Sequence, residues 1–203
     1  MTSKTNYQLI LDKTLKEISA LGSVPKLLLH SCCAPCSSYC LEYLSDYFSI
    51  TVFYFNPNIE DEEFERRYKE QVRLVSELKT KHLVSVVKGE HNTDLYYKTV
   101  AGHESDPEGG ERCRLCFELR LEEAAKYAKE NGFDFFTTTL SISPLKDAEL
   151  LNSIGGEMSK KYGVGYLYSD FKKKNGYLRS IELSKEYSLY RQDYCGCIFS
   201  KNK

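Results

Sequence analysis

The eight cysteines of this 203-residue chain fall into three groups: Cys32, Cys33, Cys36 and Cys40; Cys113 and Cys116; Cys195 and Cys197. Thiolates are soft metal ligands and nucleophiles. With no export segment expected, clustered thiols indicate metal ligation or redox chemistry before structural disulfides. Cys32-Cys33-x-x-Cys36 sets three thiols in one tight turn. Cys113-x-x-Cys116 sets two more one helical turn apart, where a helix N-terminus and the flanking Arg112 and Arg114 would favour thiolate. Neither group closes a four-ligand site alone. Together they offer five thiols for four positions, and spacing alone suits Zn²⁺ and an iron–sulfur cluster alike. Cys40 lies one turn beyond Cys36 and is expected to pack as a small hydrophobe. Cys195-Gly196-Cys197 is a different device. One intervening residue permits only a small, strained and easily reduced disulfide ring, and Gly196 allows the backbone that ring needs. A redox-active pair is the first reading there; further metal ligation or two unlinked thiols is the alternative.

Other candidates carry less chemistry. His30 falls inside an apolar run and is expected as a satisfied core residue, whereas His82, His91 and His103 sit in polar surroundings and are expected to face solvent. Lys172–Lys173–Lys174, with Arg179 nearby, suits either RNA phosphates or a solvated surface. Tyr187, Tyr190 and Tyr194 beside Arg191 offer stacking surfaces for a nucleobase, or the inner face of a last helix. Asp147 and Asp170 are candidate proton donors that would serve equally as a helix cap or a lysine partner.

These residues need elements to hold them. Tyr7, Leu11, Leu15 and Ile18 recur at helical spacing, and Gly22 with Pro25 ends that helix. Lys26–His30 is a short apolar run expected as a strand buried on both faces. Pro35 then suits a helix start, with the helix running toward Asp46. Ile50–Phe55 and Leu83–Val87 are expected as strands, with a long helix between them showing Phe64, Tyr68, Val72, Val75 and Leu78 on one face. Ala101–Gly110 is the clearest loop. A helix from about Cys113 to Glu130 follows, then a strand over Phe133–Thr139 and a helix through Leu150 and Met158. Gly155–Gly156 inside that helix should cost about 1 kcal/mol each against Ala. Gly165–Ser169 is expected as a fifth strand and Ser180–Tyr190 as the last helix. Strands alternating with helices imply an α/β fold with a parallel sheet covered on both faces. Ligands in such sheets sit at the carboxyl-end rim of the strands, where the first cysteine group, Asn56–Asn58 and Ser141–Pro144 all fall.

Composition narrows the rest. At 41% hydrophobic, the chain can bury one sizeable core, and no apolar run approaches the ~20 residues of a membrane span. The first 25 residues lack a signal peptide's apolar block, so a cytoplasmic location is expected. The net charge is −1, so any grip on nucleic acid must be local. Residues 1–25 are expected as an N-terminal helical extension and 26–203 as a single α/β domain.

HSCCAPC at 30–36, FNPNI at 55–59, ERCRLCFELRL at 111–121, GFDFFTTTLSISPLKD at 132–147 and LSKEYSLYRQDYCGCIFS at 183–200 together resemble the QueH family of epoxyqueuosine reductases. The resemblance runs from about Lys26 to Ser200. It implies a Rossmann-like fold carrying a 4Fe–4S cluster. It also implies reduction of the epoxide of epoxyqueuosine at the wobble position of tRNAs with GUN anticodons (the aspartate, asparagine, histidine and tyrosine acceptors), the last step to queuosine. It carries cluster ligation onto Cys32, Cys33, Cys113 and Cys116, and a redox-active disulfide onto Cys195 and Cys197. Five thiols leave one beyond such a cluster, so a second adjacent metal such as iron would be held partly by Cys36 or Cys33, with an unidentified electron donor as further partner. Such chemistry takes two electrons, which a dithiol supplies as a pair and a cluster singly. The competing reading is a zinc-stabilised, non-catalytic RNA-binding protein, colourless and holding zinc stoichiometrically.

Overall fold

Leu27, Leu28 and Leu29 leave their strand no polar face to turn toward water, and the fold answers by burying it in mid-sheet. The computed structural model describes residues 5–201; residues 1–4 of the expected extension and 202–203 of the expected domain lie outside the described residues. The strands are β1 (Lys26–His30), β2 (Ser49–Tyr54), β3 (Val84–Lys88), β4 (Phe135–Thr138) and β5 (Gly165–Tyr166). They pair wholly in parallel in the order β3-β2-β1-β4-β5. This is the doubly wound order, and it reverses direction between β1 and β4.

Period-two alternation sorts the core into two layers. Leu27, Leu29, Ile50 and Val52 face α1 (Tyr7–Leu21), α2 (Ala34–Leu44) and α3 (Asp61–Glu77) through Leu11, Leu15, Ile18, Leu41, Leu44 and Leu74. Leu28, Phe53 and Phe136 face the opposite layer, α5 (Glu111–Glu130) and α6 (Ala148–Tyr162), through Phe117, Leu121, Ala124, Leu151 and Ile154. The expected α/β architecture with helices on both faces is thus present. The first helix joins the same core as the central strand, and Gly22, at φ 66, closes it in a left-handed cap.

Several boundaries differ from the sequence pattern, each for a local reason. β5 pairs over two residues rather than five, because Asn152 on α6 takes both the N–H and the C=O of Ser169 (2.9 and 2.8 Å) and draws the chain off the ladder. The last long helix, α7 (Gly176–Glu186), lies earlier than expected: Lys174 and Asn175 at positive φ set its start, and Ser188 at φ 48 follows its end. Of the expected α3 face, Phe64 and Leu78 are buried and Tyr68 and Val75 half-buried against the core, while Val72 is left exposed; Arg67, Gln71 and Leu74 complete the buried face. The apolar stripe marked one part of the inward face, and the helix adds a polar edge, Arg67 and Gln71, on the side of the thiols. Two short helices, α4 (Thr93–Thr99) and α8 (Ile198–Lys201), were not anticipated; α4 has an Asn92 cap on the Leu95 N–H as its one clear signal. The two glycines within α6 have an evident cause. A Cβ on Gly155 would lie 2.1 Å from the Tyr166 ring, and one on Gly156 would lie 2.5 Å from the Tyr168 hydroxyl.

Candidate metal and thiol site

The turn after β1 is fixed before any ligand arrives. Asn56 Nδ2 donates to the Ser31 carbonyl at 2.9 Å, and the Ser31 and Ser37 hydroxyls both donate to Gln71 Oε1 at 2.9 and 2.8 Å. Cys33 is the N-cap of α2, and Pro35 occupies its first turn, where a missing N–H does no harm. Cys32, Cys33 and Cys36 therefore converge: their sulfur atoms all lie within 4.8 Å of one another. Cys32 and Cys33 Sγ are 3.7 Å apart. Sulfurs about 2.3 Å from a tetrahedral metal stand ~3.8 Å from each other, so this pair already holds one edge of a metal–thiolate site. The Cys33 and Cys36 thiols hydrogen-bond to Cys32 and hold it well below the ordinary thiol range, with Arg120 and Arg67 adding to the effect. Burial pushes Cys33 up to about 12, and the same bonds to Cys32 and Cys33 push Cys36 up.

Cys113 and Cys116 do not join that group of three in this conformation. They rise from the first turns of α5 and, with Cys195 and Cys197, line a small neighbouring cavity of ≈ 20 Å³. Cys113 Sγ accepts the Gly109 N–H at 3.3 Å. The two arginines expected to favour thiolate there are engaged elsewhere. Arg114 pairs with Glu111 and Glu118, and Arg112 Nη1 donates to the carbonyls of His103, Glu104 and Asp106. Burial instead pushes Cys116 up to about 12. Cys40 is fully buried in the core, as expected.

A larger cavity of ≈ 410 Å³ opens beside the triad, lined by Cys32, Cys36, Lys146, Arg191, Tyr194 and Cys195. That volume suits a small-molecule or nucleoside-sized group. Cys195, Lys146 and Glu108 line both cavities, so Cys195 stands between the two sets of thiols. Cys195 and Cys197 are both free thiols. Gly196 between them has φ +100, and a Cβ there would meet Ile59 at 2.7 Å. The Tyr96 hydroxyl lies 2.9 Å from Cys197 Sγ.

Two buried cations border these sulfurs. Arg120 follows Cys113 and Cys116 on one stripe of α5; its guanidinium bonds to Asn56 Oδ1, and Nε lies 3.2 Å from His30 Nε2. Arg67 on α3 pairs with Glu63 at 2.6 Å and donates from Nη1 to the Cys195 carbonyl at 3.3 Å. Neither arginine stood out in the sequence. The available signal was an arginine on the apolar side of a helix, three residues after Phe117 in one case and after Phe64 in the other.

The remaining candidates separate cleanly. His30 is a buried, bonded core residue, with Nδ1 2.8 Å from Thr138 Oγ1. Burial, then Arg120, lowers its pKa to about 3 and keeps the ring neutral. His91 is not solvent-facing: it stacks on Phe64 at 3.8 Å and bonds the Ile59 carbonyl. His103 pairs with Asp106. Asp147 caps α6 through the Glu149 and Leu150 N–H groups, and Asp170 pairs with Lys172 at 2.8 Å. Lys174 pairs with Asp12, which leaves the lysine run partly occupied by carboxylates. Of the three tyrosines, Tyr194 reaches the larger cavity, whereas Tyr190 lies under Arg66 and bonds Glu63. Lys146, absent from the sequence-based candidates, is buried in the cavity wall, 2.8 Å from Glu108. Burial opposes its charge, but Cys195 and Glu108 outweigh this and raise its pKa.

The family model for epoxyqueuosine reductase QueH matches residues 27–203. A curated epoxyqueuosine reductase QueH of Staphylococcus epidermidis is 44% identical over 98% of this chain and 86% of its own length. That of Streptococcus pyogenes is 43% identical over 97% of this chain and 78% of its own length. The Thermotoga maritima protein of the same name is 34% identical over 86% of this chain and 89% of its own length. With this sheet and these gathered thiols behind the match, the chain belongs to the epoxyqueuosine reductase QueH family.

Proposed function

We propose that residues 26–203 form a cytoplasmic tRNA epoxyqueuosine reductase that removes the epoxide oxygen of epoxyqueuosine at the wobble position of GUN-anticodon tRNAs. The observation that carries this reading is the convergence of three thiols at the carboxyl-end rim, beside a cavity joined through Cys195 to three more cysteine side chains. Their all-sulfur, mostly buried donor set fits an iron–sulfur group. With Cys113 and Cys116 drawn from the neighbouring cavity onto Cys32 and Cys33, these four would hold a 4Fe–4S cluster, and Cys36 would face a second metal such as iron. When bound, these groups supply single-electron transfer and Lewis acidity.

The chain's own residues supply the rest. Loss of the oxygen as water consumes two electrons and two protons, and closing Cys195 and Cys197 into a disulfide releases the same number of each. A reductant must then reopen that disulfide for the next turnover. Tyr96 holds Cys197 in place, Tyr194 offers a ring for the nucleoside, and Lys146 keeps a proton at Nζ within the cavity wall.

Anaerobic purification with iron and sulfide analysis, followed by mass spectrometry of modified tRNA, tests the reading. The expected result is a coloured protein containing iron and sulfide and a product lighter by one oxygen. A colourless, zinc-loaded chain that leaves the tRNA mass unchanged would replace it with the zinc-stabilised RNA-binding alternative. The double variant Cys195→Ser with Cys197→Ser is expected to lose multiple turnover while retaining its iron. Full turnover in that variant would remove the dithiol from the mechanism.

A further inference from the structure

Arg120 is 0% exposed and Arg67 is 1% exposed. A guanidinium stays charged in any protein environment, so each cation needs compensation inside the fold. Arg73 and Arg179 each meet two or more carboxylates at the surface. Arg120 meets no carboxylate among the described residues. Its nitrogen and oxygen partners are the Asn56 amide oxygen and His30, a neutral ring, Cys116 is its sulfur partner, and its Nη1 has no hydrogen-bond partner. Arg67 has one carboxylate, Glu63, and its Nη2 is likewise without a partner.

The groups able to balance Arg120 are sulfurs. Arg120 lies one helical turn after Cys116 on α5, and its partners His30 and Asn56 brace the strand and turn that carry Cys32. Negative charge on Cys116, Cys32 and Cys195, one from each cysteine group, favours its cation. Arg67 faces Cys33 and Cys32 and also binds the Cys195 carbonyl. A centre held by four thiolates carries net negative charge, and that charge grows by one on one-electron reduction. We infer that Arg120, supported by Arg67, is the internal counter-charge for an anionic metal–thiolate centre shared by the cysteine groups, and that it sets the reduction potential of that centre. The inference rests on the proposed reading of the thiols as metal ligands. It assigns both arginines as positioning residues acting through the centre.

The test compares the full-length chain with Arg120→Gln, Arg67→Gln and Arg179→Gln, each prepared metal-free and after anaerobic reconstitution with iron and sulfide. Arg179→Gln removes the same charge from the surface and serves as the control. Redox titration followed by visible absorption should show a midpoint potential lower by about 60 mV in Arg120→Gln, equivalent to a tenfold shift of a one-electron equilibrium. Arg67→Gln should shift it in the same direction, and Arg179→Gln should leave it unchanged. The rise in melting temperature on loading should also be smaller in Arg120→Gln than in the parent, since removing an uncompensated cation relieves the metal-free form. A folded Arg120→Gln chain that takes up less iron and sulfide would likewise support the inference. If the parent takes up no iron or sulfide, the ligand reading fails and the inference falls with it. If the parent loads normally but potential and thermal gain are unchanged in Arg120→Gln, the inference alone is overturned. A metal-free Arg120→Gln chain that does not fold would overturn it too, by showing that the guanidinium holds the fold.

Discussion

At Gly155 a methyl group would have to occupy space filled by the Tyr166 ring, which is itself buried between α6 and β4. Ring and helix backbone are both fixed, so Gly155→Ala should destabilise by about 1–3 kcal/mol despite alanine's better helix propensity. Gly156→Ala meets the hydroxyl end of the partly exposed Tyr168 and should be milder; urea-unfolding midpoints of the two variants check the order. Equal midpoints would mean that the ring gives way. Individual residues differ in how far their type announces their role. The convergence of Cys32, Cys33 and Cys36 was legible because three thiols in one tight turn have few other arrangements, and the burial of Cys40 because it lay one turn beyond the cluster. Arg67, Arg120 and Lys146 were not, because a charged side chain is solvated by default and burial is decided by contacts distant in sequence.

The element that shows this limit best is α3. Its apolar spacing found Phe64, Tyr68, Val75 and Leu78 but also Val72, which is exposed, and it missed Arg67 and Gln71, which turn inward to brace the Ser31–Cys33 turn and the Cys195 carbonyl. The same helix anchors the segment leading to Cys195. Glu70 Oε1 accepts the Tyr190 N–H at 2.7 Å, and Arg73 donates to the carbonyls of Tyr187 and Ser188. Arg73 beside it holds the Glu70 carboxyl below the usual range, against a partial burial penalty and with help from the Tyr190 amide. A lowered carboxyl pKa contributes stability that is complete above the ordinary carboxylate value and is lost as pH falls through the shifted one. Glu70→Gln should therefore lower the hydrogen-exchange protection of the Tyr190 amide at neutral pH, and the difference from the parent should fade in acid. An unchanged protection factor at neutral pH would remove Glu70 as the anchor. The strands, by contrast, were legible almost throughout, since Leu27–Leu29 and Ile50–Phe55 have no alternative to double burial; only β5 was misjudged, where a single asparagine outcompeted the ladder.

Across the whole molecule, the thiols collect where the strand order reverses between β1 and β4, while the core formed with α1 lies on Leu27 and Leu29 along the sheet. Removing metal from the loaded protein should therefore act on one end. Amides at the start of α2 and α5 should exchange faster after chelation, and those of α1 should be unchanged; uniform loss of protection would instead make the metal a global staple. No helix among the described residues is long and apolar enough to cross a membrane. The rim is also rigid at a point where its sequence suggested slack. Arg112, buried against the loop before α5, gathers the carbonyls of His103, Glu104 and Asp106, and Glu108 of that loop reaches across to Lys146. Cys32 and Cys33, at 7% and 1% exposure, lie beneath the surface that this loop frames. If the recess takes the modified nucleoside as proposed, the strain of the encounter falls on the RNA: the base has to leave its neighbours, at an unstacking penalty of a few kcal/mol that is smallest for a base already exposed in a loop.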